Sequence, residues 1–305
     1  MSRGDRREPI FKDDDDRKVF LKTLGEACGK TGWDVHAFCL MDNHFHMVVE
    51  TPAANLVAGM KWFLGTYTGR FNRRHKVFRH LFSGRYKALV VDGSGNGYFK
   101  TVCDYVHLNP VRAGLVRKKL PLRAYRWSSW PEYLDETARR WKWLRVDRLL
   151  GEHGIPKDSP AGRRQLEASL EERRAGEGEL DYGNLRRGRC FGGDEFKKEL
   201  AERVRAGMGP EHFGAERREG AEALAEGIVE QEIARRGWGS GELDRRAKGD
   251  KDKLAIAERL RPETTVPVSW IAERLEMGTR GYLHHLLHRR RKTSGKGYAK
   301  TKNPP

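Results

Sequence analysis

The sequence predicts an α+β protein: an antiparallel sheet with helices packed on one of its faces, followed by an all-helical region. Three observations lead there. Apolar strand-like runs alternate with helix-period segments in the first part of the chain. A polar pair, Asp42-Asn43, sits between two of those runs and marks a hairpin turn, since both residue types tolerate turn backbone angles. From Gly192 onward only helical spacing recurs.

Element by element, the acidic run Asp13 to Asp16 caps a helix, because carboxylates favour the positive end of the helix dipole. That helix runs to about Lys30, with Val19, Phe20, Leu24 and Ala27 on one side, and Gly32 breaks it. Trp33 to Met41 reads as a strand and His44 to Glu50 as its returning partner, closed by Pro52. Asn55 to about Arg74 is helical, with Leu56, Met60, Phe63, Leu64, Tyr67 and Phe71 along one stripe. Arg85 to Asp92 is expected as a third strand. A glycine-rich loop, Gly93 to Gly97, leads into a helix from Tyr98 to Asn109 that Pro110 should stop. Residues 135–190 are expected to be a charged linker region, because the stretch from about Gly151 to Gly188 is rich in Arg, Glu and Gly and poor in large apolar residues. Helices follow at Asp194 to Arg205, Ala215 to Arg236 and within Leu254 to Arg291. The expected division is 1–134 sheet-containing domain, 135–190 linker, 191–291 helical domain and 292–305 a basic disordered tail with no acids.

With 305 residues the chain is long enough for two domains. Its 60 Lys and Arg against 43 Asp and Glu give a net charge of +17, which points to a polyanion, most simply nucleic acid. No apolar run approaches a membrane span. The charged segment Met1 to Asp16 has no secretion-signal core. Cys28, Cys39, Cys103 and Cys190 form no CxxC pair, which argues against a zinc module and fits a reducing cytoplasm.

Two small constellations carry chemistry. His44 and His46 lie two apart on a strand, so both imidazoles face one way while Phe45 faces the core. Such a pair either holds a divalent metal or is an ordinary polar strand face. Tyr105 and Asn109 share one side of a helix. They offer a nucleophile and an oxygen ligand, or a packing residue and a helix-end residue. Tyr98, seven residues before Tyr105, is a second hydroxyl or a packing residue. His107 points elsewhere and reads as structural. Glu50 supports the histidine strand or simply ends it in solvent.

Together the segments MDNHFHMVVETP, HLFSGRYKALVVD, YVHLNPVRAGLV and YRWSSWPEYL resemble the single-tyrosine HUH transposases, and within them the REP-associated tyrosine transposases. The resemblance spans about Ser2 to Leu134. It implies a ferredoxin-like HUH endonuclease fold that cleaves and rejoins single-stranded or hairpin DNA through a 5′-phosphotyrosine. On this resemblance Tyr105 is the nucleophile, His44 and His46 are the metal pair, Asn109 stands where many relatives carry a glutamine ligand, and the metal is Mg²⁺ or Mn²⁺. Relatives also carry a strand ahead of Ser2-Arg3-Gly4-Asp5. Met1 falls where that strand would be ending, so either the start lies upstream or the sheet lacks a strand, which would leave backbone groups unpaired.

Basic residues surround this site in the sequence. Arg70, Arg73, Arg74 and Lys76 end the second helix, Arg85 and Lys87 follow, and Arg112 flanks Pro110. Each is expected to contact DNA or to balance a helix dipole. Interleaved Phe71, Phe78, Phe82, Tyr86, Trp127 and Trp130 either stack on unpaired bases or belong to the core. Near the C-terminus, Val268 to Glu276, the turn Met277-Gly278 and a helix capped by Thr279 have the pattern of a helix-turn-helix. Arg280, Arg289 and Arg290 on its second helix suit DNA phosphates. The rival reading is a non-catalytic DNA-binding regulator on the same fold, which would need none of His44, His46, Tyr105 and Asn109. An RNA-binding protein has no RNP or KH motif behind it.

Overall fold

The computed structural model describes residues 1–117, 119–176, 185, 190–206 and 216–293. Of the basic tail expected at 292–305, all but the first two residues lie outside the described residues, as does most of 177–189. The described residues form two compact units, divided between residues 206 and 216.

The first unit is mixed α+β. Asp13 caps α1 (Asp14–Thr31) by accepting from the Asp16 amide at 3.0 Å. Gly32 ends that helix at φ 68°, a left-handed angle that favours glycine. Strand β2 (Asp34–Leu40) pairs antiparallel with β3 (His44–Glu50), from Asp34 opposite Glu50 to Leu40 opposite Phe45, with a bulge between Val35 and Ala37. Strand β1 is only Ser2–Arg3, and it pairs with β3 at Phe45 and His44. The sheet order is therefore β1-β3-β2.

Helices cover both faces of this sheet, which corrects the expectation of one. Phe45 faces α1 and α2 (Leu56–His75), meeting Phe20 at 4.9 Å and Phe63 at 6.1 Å. His44 and His46, on the opposite side, face α3 (Tyr98–His107). The physical reason lies in β2, whose residues Val35 to Leu40 are all buried. A strand buried on both sides requires cover on both.

The outer edge of β2 is closed by coil rather than by a strand. Leu40 donates to the Trp127 carbonyl at 2.8 Å, Ser129 donates to Phe38 at 2.9 Å, and Arg145 donates to Val35 at 2.8 Å. The YRWSSWPEYL segment has this job. Tyr125 donates its hydroxyl to the Leu40 carbonyl and Tyr133 donates to that of His36, both at 2.6 Å.

Two further expectations are corrected. The third strand over Arg85 to Asp92 shrinks to β4 (Val90–Val91), because residues 81–87 spend backbone bonds on residues 1–5 instead: Asp5 to Leu81, Ser83 to Arg3 and Lys87 to Met1. The helix from Tyr98 ends ahead of Pro110, at His107 rather than at Asn109, but the proline does more than stop it. It opens a short helix α4 (Asn109–Arg112), where a proline in the first turn loses no bond.

The linker expectation fails most clearly. After α5 (Trp130–Leu134), helices α6 (Asp147–Glu152) and α7 (Pro160–Ala175) pack into the same core, with Leu149, Leu150, Ile155, Leu166 and Leu170 buried. Strand β5 (Cys190–Phe191) then pairs parallel with β4, and α8 (Asp194–Ala206) follows. Leu166→Ala or Leu170→Ala should each cost about 2–5 kcal/mol of stability, as for other fully buried leucines. Urea denaturation measures this; a change below ~0.5 kcal/mol would return α7 to the status of a linker.

The second unit is helical: α9 (Glu216–Arg235), α10 (Glu242–Arg245), α11 (Lys251–Glu263), α12 (Val268–Arg274) and α13 (Arg280–Thr293). Val229, Leu260, Ile271, Leu275 and Leu283 form its core. Between α12 and α13, Gly278 takes φ 82°. Thr279 then caps α13 by accepting from the Tyr282 amide at 3.3 Å. Buried Lys253 donates to the carbonyls of Arg246 at 3.1 Å and Glu276 at 3.2 Å, tying α11 to the turn that follows α12.

Candidate active site

The site lies where β3 meets α3. Pleating puts His44 and His46 on one face, their ring centroids 5.1 Å apart. The Tyr105 ring stands edge-on to His46 at 5.9 Å. Along Val102–Pro110 every residue is buried except Tyr105. The helix therefore sinks its apolar side into the sheet and leaves one hydroxyl-bearing ring half-buried beside the histidine face.

Each side chain is held by neighbours. Asn43 donates through Nδ2 to the Arg7 carbonyl at 3.0 Å, which fixes its amide and turns Oδ1 toward His44 Nδ1 at 2.8 Å. An oxygen there makes Nδ1 the protonated nitrogen, so His44 Nε2 carries the lone pair. Asn109 is buried and donates Nδ2 to the Tyr105 carbonyl at 3.2 Å. The Arg112 guanidinium lies 3.9 Å from the Tyr105 ring centroid and also bonds the Tyr105 carbonyl.

The electrostatics favour neutral imidazoles. Burial, then the nearby Arg3, lowers His44 to about 4. Burial and the adjacent His44 hold His46 well below the usual histidine value. Among the described residues no group of three or more His, Cys, Asp or Glu that could hold a metal ion gathers, so this face offers the two imidazoles as its ring-nitrogen donors.

The other residues singled out by the sequence divide. Tyr98 packs against Phe191 at 5.1 Å, away from the histidines. His107 is buried and bonds Ser129 Oγ at 2.8 Å, a structural role as expected. Glu50 is no solvated strand end: it bonds His36 at 3.1 Å and Arg148 at 3.1 Å. Arg70 pairs with Glu26 at 2.8 Å, and Arg74 with Asp13 at 2.7 Å and Asp16 at 2.6 Å. These two bind α2 to α1 on the Phe45 side of the sheet, away from the histidine face. Arg73, Lys76, Arg85 and Lys87 are exposed, and so are Arg280 and Arg289 in the second unit. Arg290 bonds the Lys251 carbonyl at 3.0 Å and approaches Glu258 at 3.4 Å.

Sequence reading missed a buried cluster behind Tyr105. Asp104, next to Tyr105, pairs with Arg173 of α7 at 2.5 Å and with His153 at 3.1 Å. No local signal announces it, since its members are far apart in the chain. It also missed His36, whose ring meets Phe99 at 4.9 Å.

With this geometry in view, comparison with known proteins gives one match. Residues 1–109 match the family described as "Transposase IS200 like". The match covers the histidine strand and ends at Asn109, so this part of the chain is similar to the IS200-like transposases. No curated protein and no solved structure matches the chain. Residues up to α7 pack into the same core as this segment. No helix among the described residues is long and apolar enough to cross a membrane.

The lowered imidazole pKa values have a consequence for stability. Burial lowers His107 from 6.5 to about 4. The unfolded chain therefore takes up this proton near pH 6.5, while the folded protein resists until about pH 4. Between these values the unfolded state binds more protons, so stability falls as pH drops through the window and is level above it. His107 alone should cost about 2 kcal/mol at pH 5. His36, His44 and His46 shift in the same direction. The urea midpoint should be lower at pH 5 than at pH 7.5; equal midpoints would mean these rings reach water.

Proposed function

We propose that this protein is a DNA strand-cleaving and rejoining enzyme of transposase type that works through a covalent tyrosine intermediate. The observation that carries the reading is the Tyr105 ring, the one incompletely buried residue of its stretch, standing 5.9 Å from one of two neutral, adjacent imidazoles. Binding DNA requires no such arrangement, which weighs against a purely regulatory protein.

The residues fit a divalent ion, Mg²⁺ or Mn²⁺. Asn43 fixes the His44 tautomer that leaves Nε2 able to ligate, burial keeps both imidazoles unprotonated, and the Asn109 donor nitrogen is engaged, leaving Oδ1 as its ligand atom. When bound, such an ion supplies Lewis-acid stabilisation of phosphate charge. The Tyr105 hydroxyl loses its proton to solvent as its oxygen attacks the phosphorus; the oxygen–phosphorus bond forms while the bond from phosphorus to the 3′-oxygen breaks, and the 3′-oxygen takes a proton from water and leaves as a hydroxyl. A phenolate is itself a good leaving group, so the 5′-phosphotyrosine reverses when another 3′-hydroxyl attacks. Arg112, over the ring, offers positive charge beside the phenolic system. Single-stranded or hairpin DNA is the substrate in this proposal. Incubation with labelled hairpin DNA and Mn²⁺ should give a protein–DNA adduct that survives a denaturing gel; no adduct with any strand would sink the reading.

The second unit adds duplex binding in this proposal. Its helix α13 exposes Arg280, His284, His285 and His288 behind the Gly278 turn, in helix-turn-helix order. A chain ended after Ala206 keeps α7 in place, whereas one ended after Leu150 would bare the core. The Ala206 truncation should still form the adduct but bind duplex-bearing DNA more weakly. Its slope of log affinity against log salt should shrink by about 0.9 for every phosphate that the shorter chain no longer neutralises. Equal slopes would give the second unit another role.

A further inference from the structure

The six aromatic residues interleaved with the basic ones separate sharply in the structure. Phe71 and Trp130 are buried, and Phe82, Tyr86 and Trp127 pack against the core. Phe78 alone among them is fully exposed, at 104% of its reference area. A single exposed apolar side chain is ordinary on a protein surface, so what sets Phe78 apart is its anchoring and the charges around it.

This ring is not on a loose loop. Lys76 ends α2 in a left-handed conformation, φ 53°, unusual for a side chain with a Cβ. Val77 donates to the Asn72 carbonyl at 3.0 Å and packs on the core. The Asn72 amide donates to the Arg79 carbonyl at 2.9 Å, bridging the turn. Arg79 pairs with Glu8 and reaches the Pro9 carbonyl. Leu81 is buried again. Residues on each side of Phe78 are thus tied down, and the ring is the part held outward.

Its neighbours favour an anion. Arg73, Lys76 and His80 are exposed and make no ion pair with a described residue. A flat ring beside two cations, Arg73 and Lys76, matches a strand whose phosphates meet the cations while a base meets the ring. A protein partner of ordinary composition would explain the ring but not the unbalanced charge. From this turn the chain runs straight into residues 81–83, which lie along β1, the strand beside His44. The turn therefore leads to the sheet edge formed by β1, the strand paired with His44.

We propose that Phe78 is a stacking platform for one unpaired base of a DNA strand approaching the cleft, with Arg73, Lys76 and His80 holding the flanking phosphates. This deepens the reading of the chain as a DNA-cleaving enzyme and rests on it. Stacking is indifferent to base identity, so the platform grips single strands generally and contributes affinity more than sequence choice.

The test is fluorescence anisotropy of the full chain with a labelled single-stranded oligonucleotide, without metal. Phe78→Ala should weaken binding about tenfold, within the range of one base–aromatic stack. Phe78→Trp should bind at least as well as the wild type. Phe78→Leu, apolar but not flat, should resemble Phe78→Ala. None of these removes a charge, so the salt slope should not change. On a fully abasic strand wild type and Phe78→Ala should converge, because no base remains to stack. Wild-type affinity in Phe78→Ala would overturn the platform while leaving the DNA reading intact. Absence of wild-type binding would overturn both. A change of oligomeric state in Phe78→Ala by sedimentation, with unchanged DNA affinity, would instead make the ring a contact between copies and also overturn the proposal.

Discussion

Replacing Tyr105 by phenylalanine should abolish the covalent protein–DNA adduct, a loss of at least about 10⁴-fold in strand cleavage. The substitution removes one oxygen and little else. The ring would keep its edge contact with His46 and its place under Arg112, so the fold and the cleft should survive. DNA affinity should stay within about threefold, since phosphate contacts by basic side chains supply most of it. Tyr98→Phe is the matched control: Tyr98 begins the same helix but packs on Phe191, so its loss should leave the adduct in place. An adduct that persists in Tyr105→Phe and vanishes in Tyr98→Phe would move the nucleophile to the start of α3. A melt of both proteins separates lost chemistry from lost structure.

How much of this was legible in the sequence depends on the range of the signal. The hairpin was legible because period-two patterning and the Asp42-Asn43 turn are local. So were α1, α2 and the boundaries of α12 and α13, where a cap, an apolar stripe and a glycine turn all act within a few residues. His44, His46, Tyr105 and Asn109 could be picked out together only through the family resemblance, since neither pair alone separates a site from ordinary packing.

What failed depended on distant partners. Residues 81–87 have strand composition, yet their hydrogen bonds go to residues 1–5, and the pattern within the segment cannot reveal that. Helix α7 looked like linker because its buried face is little more than Leu166 and Leu170 amid Arg and Glu. Its anchoring came from afar: Arg173 on Asp104 and Glu171 on the Leu122 amide at 2.6 Å. Arg70 and Arg74 looked like DNA contacts for the converse reason. Their charge was plain in the sequence, but the acids of α1 that pair with it were not.

His44→Ala and His46→Ala should each lower cleavage by about 10³-fold or more, the scale of losing several kcal/mol of transition-state charge stabilisation. Two properties motivate this. The rings are adjacent at 5.1 Å, and burial keeps both unprotonated, which is the form that ligates a metal. The substitutions differ in their structural risk. His44 is partly exposed and tethered to Asn43, so His44→Ala should fold normally. His46 lies against α3, and removing its ring opens space beneath Tyr105. His46→Gln, which fills more of that space, should therefore accompany it. DNA binding should be nearly unchanged in all three, while Mn²⁺ binding by calorimetry should weaken in each. EDTA should reproduce the loss of cleavage in the wild type, and added Mn²⁺ should reverse it. Undiminished cleavage in EDTA would show that the histidines act without a metal, as donors to phosphate. In that case cleavage should rise as pH falls toward the His44 value of about 4, the opposite of what metal ligation requires.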